Sequence, residues 1–355
     1  MVKNLTSVLL FCAAFWIMFS SQAGASDLWH VEGTAGIIAQ EIQFTNGDAR
    51  LAGTVYFPAN GSRLPAIVAL HDASVPLRQA ALYRHLAQSL PAMGIAVLIY
   101  DRRGTGASSG SLKSIDYETL ADDAIAGKNA LAKLPQINPE KIGFWGLSQG
   151  GWLAVLAAGR SKDAAFAISV SAPLVTPAQQ MEFATTNLLT IRGYSSQDVK
   201  QMLDTRKAWT GYLRGKVTRA AAVEVLQKAE TQPWFALAFM PKASNLTTDP
   251  EHNSARKQID DDPIAAVRQV KVPLLFIYGG SDPWVPVGES VEQLRLLMNR
   301  QDNIRYAVVA NANHEMMFVE HDTMEFDAKT MNAAAPQAPA YFMLMGSWLC
   351  RQIAE

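Results

Sequence analysis

Residues 142–151 read IGFWGLSQGG, and Gly146-Leu147-Ser148-Gln149-Gly150 within them is a G-x-S-x-G match. The apolar residues leading into it suit a buried strand, and the GWLAVLAAGR that overlaps its end suits a helix packed through small side chains. A serine on a tight turn between strand and helix is a nucleophile elbow, with its hydroxyl raised above the sheet. Glycines two residues to either side let strand and helix pass close enough to hold a strained serine backbone. The next amide, that of Gln149, then lies at the positive end of the helix, where it can donate to an oxyanion.

A serine nucleophile needs a base, and the base needs an acid to orient it. In open α/β sheets chemistry gathers beyond the carboxyl ends of the strands. The apolar run PLLFIY at 273–278 leads into Gly279-Gly280-Ser281-Asp282-Pro283-Trp284, and IRYAVV at 304–309 leads into Ala310-Asn311-Ala312-Asn313-His314. Taken alone, Asp282 before a proline is an ordinary turn starter, and His314 is one of six histidines. Together they follow consecutive strands in the order serine, acid, histidine, which is the order of a triad on this kind of sheet.

The elements that must carry these residues alternate. Strands are expected at 37–44 and 50–57, joined by the hairpin signal Asn46-Gly47-Asp48, and then at 65–70, 95–100, 142–145, 165–170, 273–278 and 304–309. Helices are expected at 78–90, 116–134, 289–298 and 340–353, and after the elbow. Between 177 and 262 the pattern is helical throughout and carries Trp209, Tyr212, Trp234 and Phe235. The predicted fold is therefore α/β, a mostly parallel doubly wound sheet with a helical cap inserted after strand six. It divides into a core at 26–176, the cap at 177–262 and a second core segment at 263–355.

Residues 1–25 are expected to be a cleaved signal peptide: Lys3 precedes an apolar run at 8–19, and Ala23-Gly24-Ala25 offers a small-x-small cleavage site. The run is shorter than the roughly 20 residues that a spanning helix needs. The expected location is periplasmic or secreted, with no stable membrane insertion after cleavage. Only Cys350 would remain in the mature chain, so no internal disulfide is expected. A net charge of −1 gives no electrostatic case for nucleic acid. There is no H-E-x-x-H, no ligand-like histidine cluster and no glycine-rich nucleotide motif in the first βα unit, so no metal and no cofactor is expected.

The chain resembles a serine-dependent α/β-hydrolase, and within that superfamily it is similar to the carboxylesterase, serine-aminopeptidase and prolyl-oligopeptidase-like groups. The segments that carry the resemblance are ALHDAS, YDRRGTGASSG, GLSQGG, VPLLFIYGGSDPWVP and NANHEM, which span most of 51–353 and leave the helical insertion unmatched. The resemblance implies Ser148 as nucleophile, His314 as general base then acid, and Asp282 as the partner of the imidazole. It implies an oxyanion hole from the amides of Gln149 and Ala73. Asp72 stands where the family usually has glycine, and its carboxylate would repel an oxyanion unless turned away or paired. His71 is expected to order this loop, and Arg102 and Arg103 to tie the following loop through Arg–Asp pairs. Asp72, Trp284 and Met316 are candidate pocket residues.

The reaction so implied is ester hydrolysis through an acyl-enzyme, on a small-molecule ester. Peptide or thioester cleavage by the same machinery is the alternative, with a short peptide as the other substrate class. A non-catalytic binding protein on this fold is disfavoured because all three triad positions are filled. Epoxide hydrolase or dehalogenase chemistry would want aspartate at the nucleophile. The acids of the insertion, Glu182, Asp198, Asp204 and Glu224, read as solvated helix faces.

Overall fold

A computed structural model describes residues 36–74, 77–113, 115–319 and 337–354. The expected signal peptide and His321 lie outside the described residues. Eight strands form one sheet: β1 (Ile37–Asn46), β2 (Ala49–Pro58), β3 (Leu64–Leu70), β4 (Ala96–Tyr100), β5 (Ile137–Leu147), β6 (Ala167–Val170), β7 (Leu274–Gly279) and β8 (Ile304–Val309). Their spatial order is β1-β2-β4-β3-β5-β6-β7-β8. The β1–β2 hairpin joins the sheet antiparallel through β4, and every pairing from β4 to β8 is parallel.

The parallel strands read as continuous apolar runs because helices cover both faces. Along β3, Ala66, Val68 and Leu70 point to one core, while Ile67 and Ala69 point to the other. In β7 the same alternation sends Leu274, Phe276 and Tyr278 one way, and Leu275 and Ile277 the other. One face carries α2 (Tyr117–Leu131), α3 (Gln149–Arg160), α8 (Pro263–Gln269) and α9 (Val287–Met298); the other carries α1 (Arg84–Ala92) and α10 (Pro339–Ala354). Between β6 and β7 lie α4 (Pro177–Ile191), α5 (Ser196–Leu213), α6 (Arg219–Ala229) and α7 (Ser254–Gln258). These cap helices have a core of their own, built on Met202, Leu213, Leu226 and Trp234. Thr176 and Ser195 close capping boxes at the starts of α4 and α5, satisfying amides that no helical carbonyl can reach. At exposed positions Asp204 pairs with Lys200, one turn before it, and Glu224 with Lys228, one turn after it.

Two boundaries differ from the sequence expectation. The helix expected from residue 78 starts only at Arg84, after a 3-10 turn, because the Arg78 amide and guanidinium are both held by Asp101. Strand β5 starts five residues early, at Ile137, where it pairs with Leu64 across a register shift. The polar stretch Asn138-Pro139-Glu140-Lys141 hid this beginning.

His85 on α1 ties the two helices of its face together. Its Nδ1 donates to the Leu82 carbonyl, and its ring meets Trp145, Tyr341 and Phe342 edge-on. Burial holds the imidazole neutral by lowering its pKa to about 4. The folded state therefore takes up its proton later than the unfolded chain, whose histidine titrates near 6.5. Stability from this residue is complete above about pH 6.5 and is lost as the pH falls towards 4, by about 3 kcal/mol across that window. His71, lowered in the same direction by burial, adds to the same trend. Urea midpoints measured from pH 7 to pH 4 are expected to fall steeply in the wild type. In His85→Phe the fall is expected to be shallower by nearly one proton, and equal slopes would contradict this account.

Candidate active site

Ser148 stands at the junction of β5 and α3 with φ 56° and ψ −120°, a left-handed conformation that side chains avoid. Two close approaches hold it there. A Cβ on Gly146 would lie 1.9 Å from the Gly150 carbonyl oxygen, and a Cβ on Gly150 would lie 2.3 Å from the Leu70 carbonyl oxygen at the end of β3. No side chain fits at either glycine, so the motif spacing is a packing requirement. The Ser148 amide donates to the Val170 carbonyl at the end of β6, at 2.8 Å. The Gln149 amide opens α3 and so has no helical carbonyl to bond.

The loop after β7 holds Asp282 with its carboxylate fully shielded from solvent. Oδ1 accepts from the amides of Trp284 at 2.8 Å and Val285 at 3.1 Å, leaving Oδ2 for His314 Nδ1 at 2.8 Å. That bond fixes the proton on Nδ1 and leaves Nε2 as the basic nitrogen. His314 is carried on a tight reversal after β8. The Asn313 side chain caps it, accepting from the amides of Glu315 and Met317, and Asn313 and Met317 also pair through their backbones. Burial pushes the Glu315 carboxyl up, with the nearby Asp72 adding to the shift and His314 opposing it.

In the loop after β3, His71 contributes packing and other residues contribute the polar contacts. Among the described residues neither ring nitrogen of the buried His71 has a hydrogen-bond partner, and the ring packs edge-on against Tyr83 and Tyr100. Polar order comes instead from Tyr83 and Arg102. The Tyr83 hydroxyl accepts from the Asp72 amide and donates to Asp72 Oδ1, while Ser74 Oγ donates to Oδ2 at 2.5 Å. The Asp72 carboxylate is thus engaged at both oxygens. Among the described residues Arg102 makes no ion pair with an aspartate, contrary to the expectation. It donates to the carbonyls of His71 and Asp72 and to Gln149 Oε1. In a trans peptide the carbonyl and the next amide point opposite ways, so holding the Asp72 carbonyl also directs the Ala73 amide away from Arg102. Among the described residues that amide has no acceptor. Arg103 does pair as expected, in a bidentate, buried contact with Asp123.

The other pocket candidates separate. Trp284 sits where cap meets core: its ring touches Phe239, and its carbonyl accepts from Gln180 on α4. Met316 is only 1% exposed and packs into the core on the face of α1 and α10, so it does not line an open pocket. Tyr83, and Tyr117, whose hydroxyl accepts from Gln149 Nε2 at 3.4 Å, support the site without any signal in the sequence. Each is an aromatic residue in a helical segment, a pattern that fits the core equally well.

The sheet, the elbow and the acid–histidine pair define an α/β-hydrolase. Residues 77–322 match the family described as serine aminopeptidase, S33, and the chain belongs to that family. The polyketide transferase claH of Penicillium crustosum is 26% identical over 270 residues, covering 72% of this chain and 82% of its own length. The thiohydrolase aneE of Aspergillus aculeatus is 33% identical over 138 residues, 38% of this chain and 42% of its own length. The solved esterase Pf2001 of Pyrococcus furiosus shares the fold with a TM-score of 0.55 at 18% identity, over 89% of this chain and 91% of that one.

Gly146→Ala is expected to destabilise the protein by about 3 kcal/mol or more, the upper end of what overpacking costs, because backbone rather than a flexible side chain blocks the new methyl. A denaturant midpoint within error of the wild type would show that the elbow can open.

Proposed function

We propose that the chain is an exported serine hydrolase that cleaves carboxylic esters through an acyl-enzyme. Ser148 is the nucleophile, His314 the general base and acid, and Asp282 the group that orients the imidazole. The observation that carries this reading is the 2.8 Å bond from His314 to the shielded Asp282, combined with the strained backbone of Ser148. A packing contact that forces a serine into strain at the end of a strand is a cost that persists where function requires it.

In this reading Ser148 Oγ attacks the ester carbonyl as its proton passes to His314 Nε2. The tetrahedral oxyanion is received by the amides of Gln149 and Ala73. Collapse breaks the bond to the alcohol, which leaves with the proton from His314. Water, deprotonated by the same nitrogen, then releases the acid and restores Ser148. Asp282 stabilises the imidazolium in both halves. Membership of a hydrolase family supports the reaction class. A second reading, cleavage of an acyl thioester, is favoured by the likeness to aneE, a thiohydrolase. Both readings share the acyl-enzyme and differ in the leaving group.

The experiment is a panel of p-nitrophenyl esters, an acyl thioester and an aminoacyl-anilide on the mature protein, with a fluorophosphonate probe. Ester turnover blocked by labelling at Ser148 is the expected result. Ser148→Ala is expected to retain the fold and lose at least about a thousandfold in kcat; retained turnover would sink the proposal. Preferred thioester or anilide cleavage would move the substrate class and keep the mechanism. Arg102→Met is expected to lower kcat about ten- to a hundredfold with little change in KM, as befits a residue that aims an oxyanion donor. A change confined to KM would argue against that role.

A further inference from the structure

Away from Ser148, a cavity of about 180 Å³ opens beside α3. Its walls come from both crossings between core and cap, with Leu174 on the way out and Asp261 on the way back, and from the start of α2, the middle of α3 and one side of α8. Tyr117 and Trp152 form its aromatic side, with ring centroids 6.0 Å apart and planes tilted by 43°. Leu156 and Ala266 add apolar surface, and Asp261 and Glu118 supply carboxylates. Neither carboxylate has an ion-pair partner among the described residues. The lining is therefore aromatic and apolar, with carboxylates and no lysine or arginine of its own. That is the chemistry that holds an organic ammonium, through the ring faces and a carboxylate together. Cavities of about 150 Å³ accept benzene, so this one suits a single ring or short alkyl group.

We propose that this cavity is a second binding site, for a small organic ammonium carrying one apolar group, distinct from the site at Ser148. The apolar group rests on Tyr117 and Trp152, and the ammonium is met by Asp261 and Glu118. None of Ser148, Asp282, His314, Ala73 or Trp284 lines it. The surrounding charges agree with a site short of a cation. Burial first, then Glu118, Asp116 and Asp260, push the Asp261 carboxyl up to about 6. The nearby cations are already engaged: Arg160 with Asp122, Arg214 with Asp260, and Lys257 near Asp116. A bound ammonium favours the ionised carboxylate, so binding at pH 6 releases a proton. The Tyr117 hydroxyl that backs the cavity also accepts from Gln149, so occupancy is one hydrogen bond from the elbow.

The test is calorimetric titration of the full protein with phenethylammonium and with its neutral counterpart 2-phenylethanol, at pH 6 in two buffers of different ionisation enthalpy. It reads binding alone, so its outcome is independent of the esterase reading. The expected result is saturable binding of the amine, at least about tenfold weaker binding of the alcohol, and a buffer-dependent heat that reports proton release. Asp261→Asn and Trp152→Leu are expected to weaken the amine at least about tenfold, while Trp284→Leu leaves it unchanged. Thermal melts confirm that each variant is folded. Equal binding of amine and alcohol, no effect of Asp261→Asn, loss of binding in Trp284→Leu, or no saturation by about 10 mM would each overturn the proposal.

Discussion

The structure depends on one exclusion of volume, the crossing of α3 over the ends of β3 and β5. Gly150 lies against the Leu70 carbonyl and Gly146 against Gly150, with no space for a methyl at either contact. Because the backbones touch, Ser148 has no relaxed conformation available and is driven to positive φ. The same contact draws the loop after β3 towards the first turn of α3. Only at that separation can one guanidinium, that of Arg102, reach the carbonyls of His71 and Asp72 and the side chain of Gln149 together. Loosening the crossing would misplace the serine and both neighbouring amides at once.

Charge near the site is handled by engagement rather than by exclusion. A carboxylate in the glycine position of the β3 loop looks hostile to anionic chemistry. The Tyr83 hydroxyl and Ser74 bind its two oxygens and turn it into part of the loop's scaffold. Asp282 is treated the same way, with two amides on one oxygen and an imidazole on the other. A buried carboxylate that accepts three hydrogen bonds avoids the desolvation cost of an orphan.

Much of this was legible beforehand because it rests on short-range rules. The apolar runs of β3, β4, β7 and β8 announced parallel strands, and Asp282 and His314 fell just after β7 and β8. The G-x-S-x-G spacing was legible because sterics leave no other residue at its ends. What stayed hidden depends on contacts distant in sequence. Nothing near Tyr83 shows that its hydroxyl meets Asp72, and nothing near Arg102 shows that it binds two carbonyls rather than an aspartate. How His71 orders its loop was hidden as well, since only tertiary packing sets it against two tyrosines. Met316 misled because adjacency to His314 in sequence is not adjacency to a cleft; the reversal that presents the histidine turns the methionine into the core.

The insertion of α4 to α7 between two adjacent strands has a consequence for how this chain reaches its fold. β6 and β7 lie side by side, yet about a hundred residues separate them along the chain. Closing a loop of that length costs only about 2 kcal/mol more than closing one of ten residues, because the entropy grows with the logarithm of length. The inserted helices also bring their own apolar core, so they can form before the strands on either side have met. The sheet's second half must nevertheless wait for that long-range closure, which places β7 and β8, and with them Asp282 and His314, among the last pieces to arrive. A nascent chain would then carry its strained serine for some time before it acquired the residues beside it.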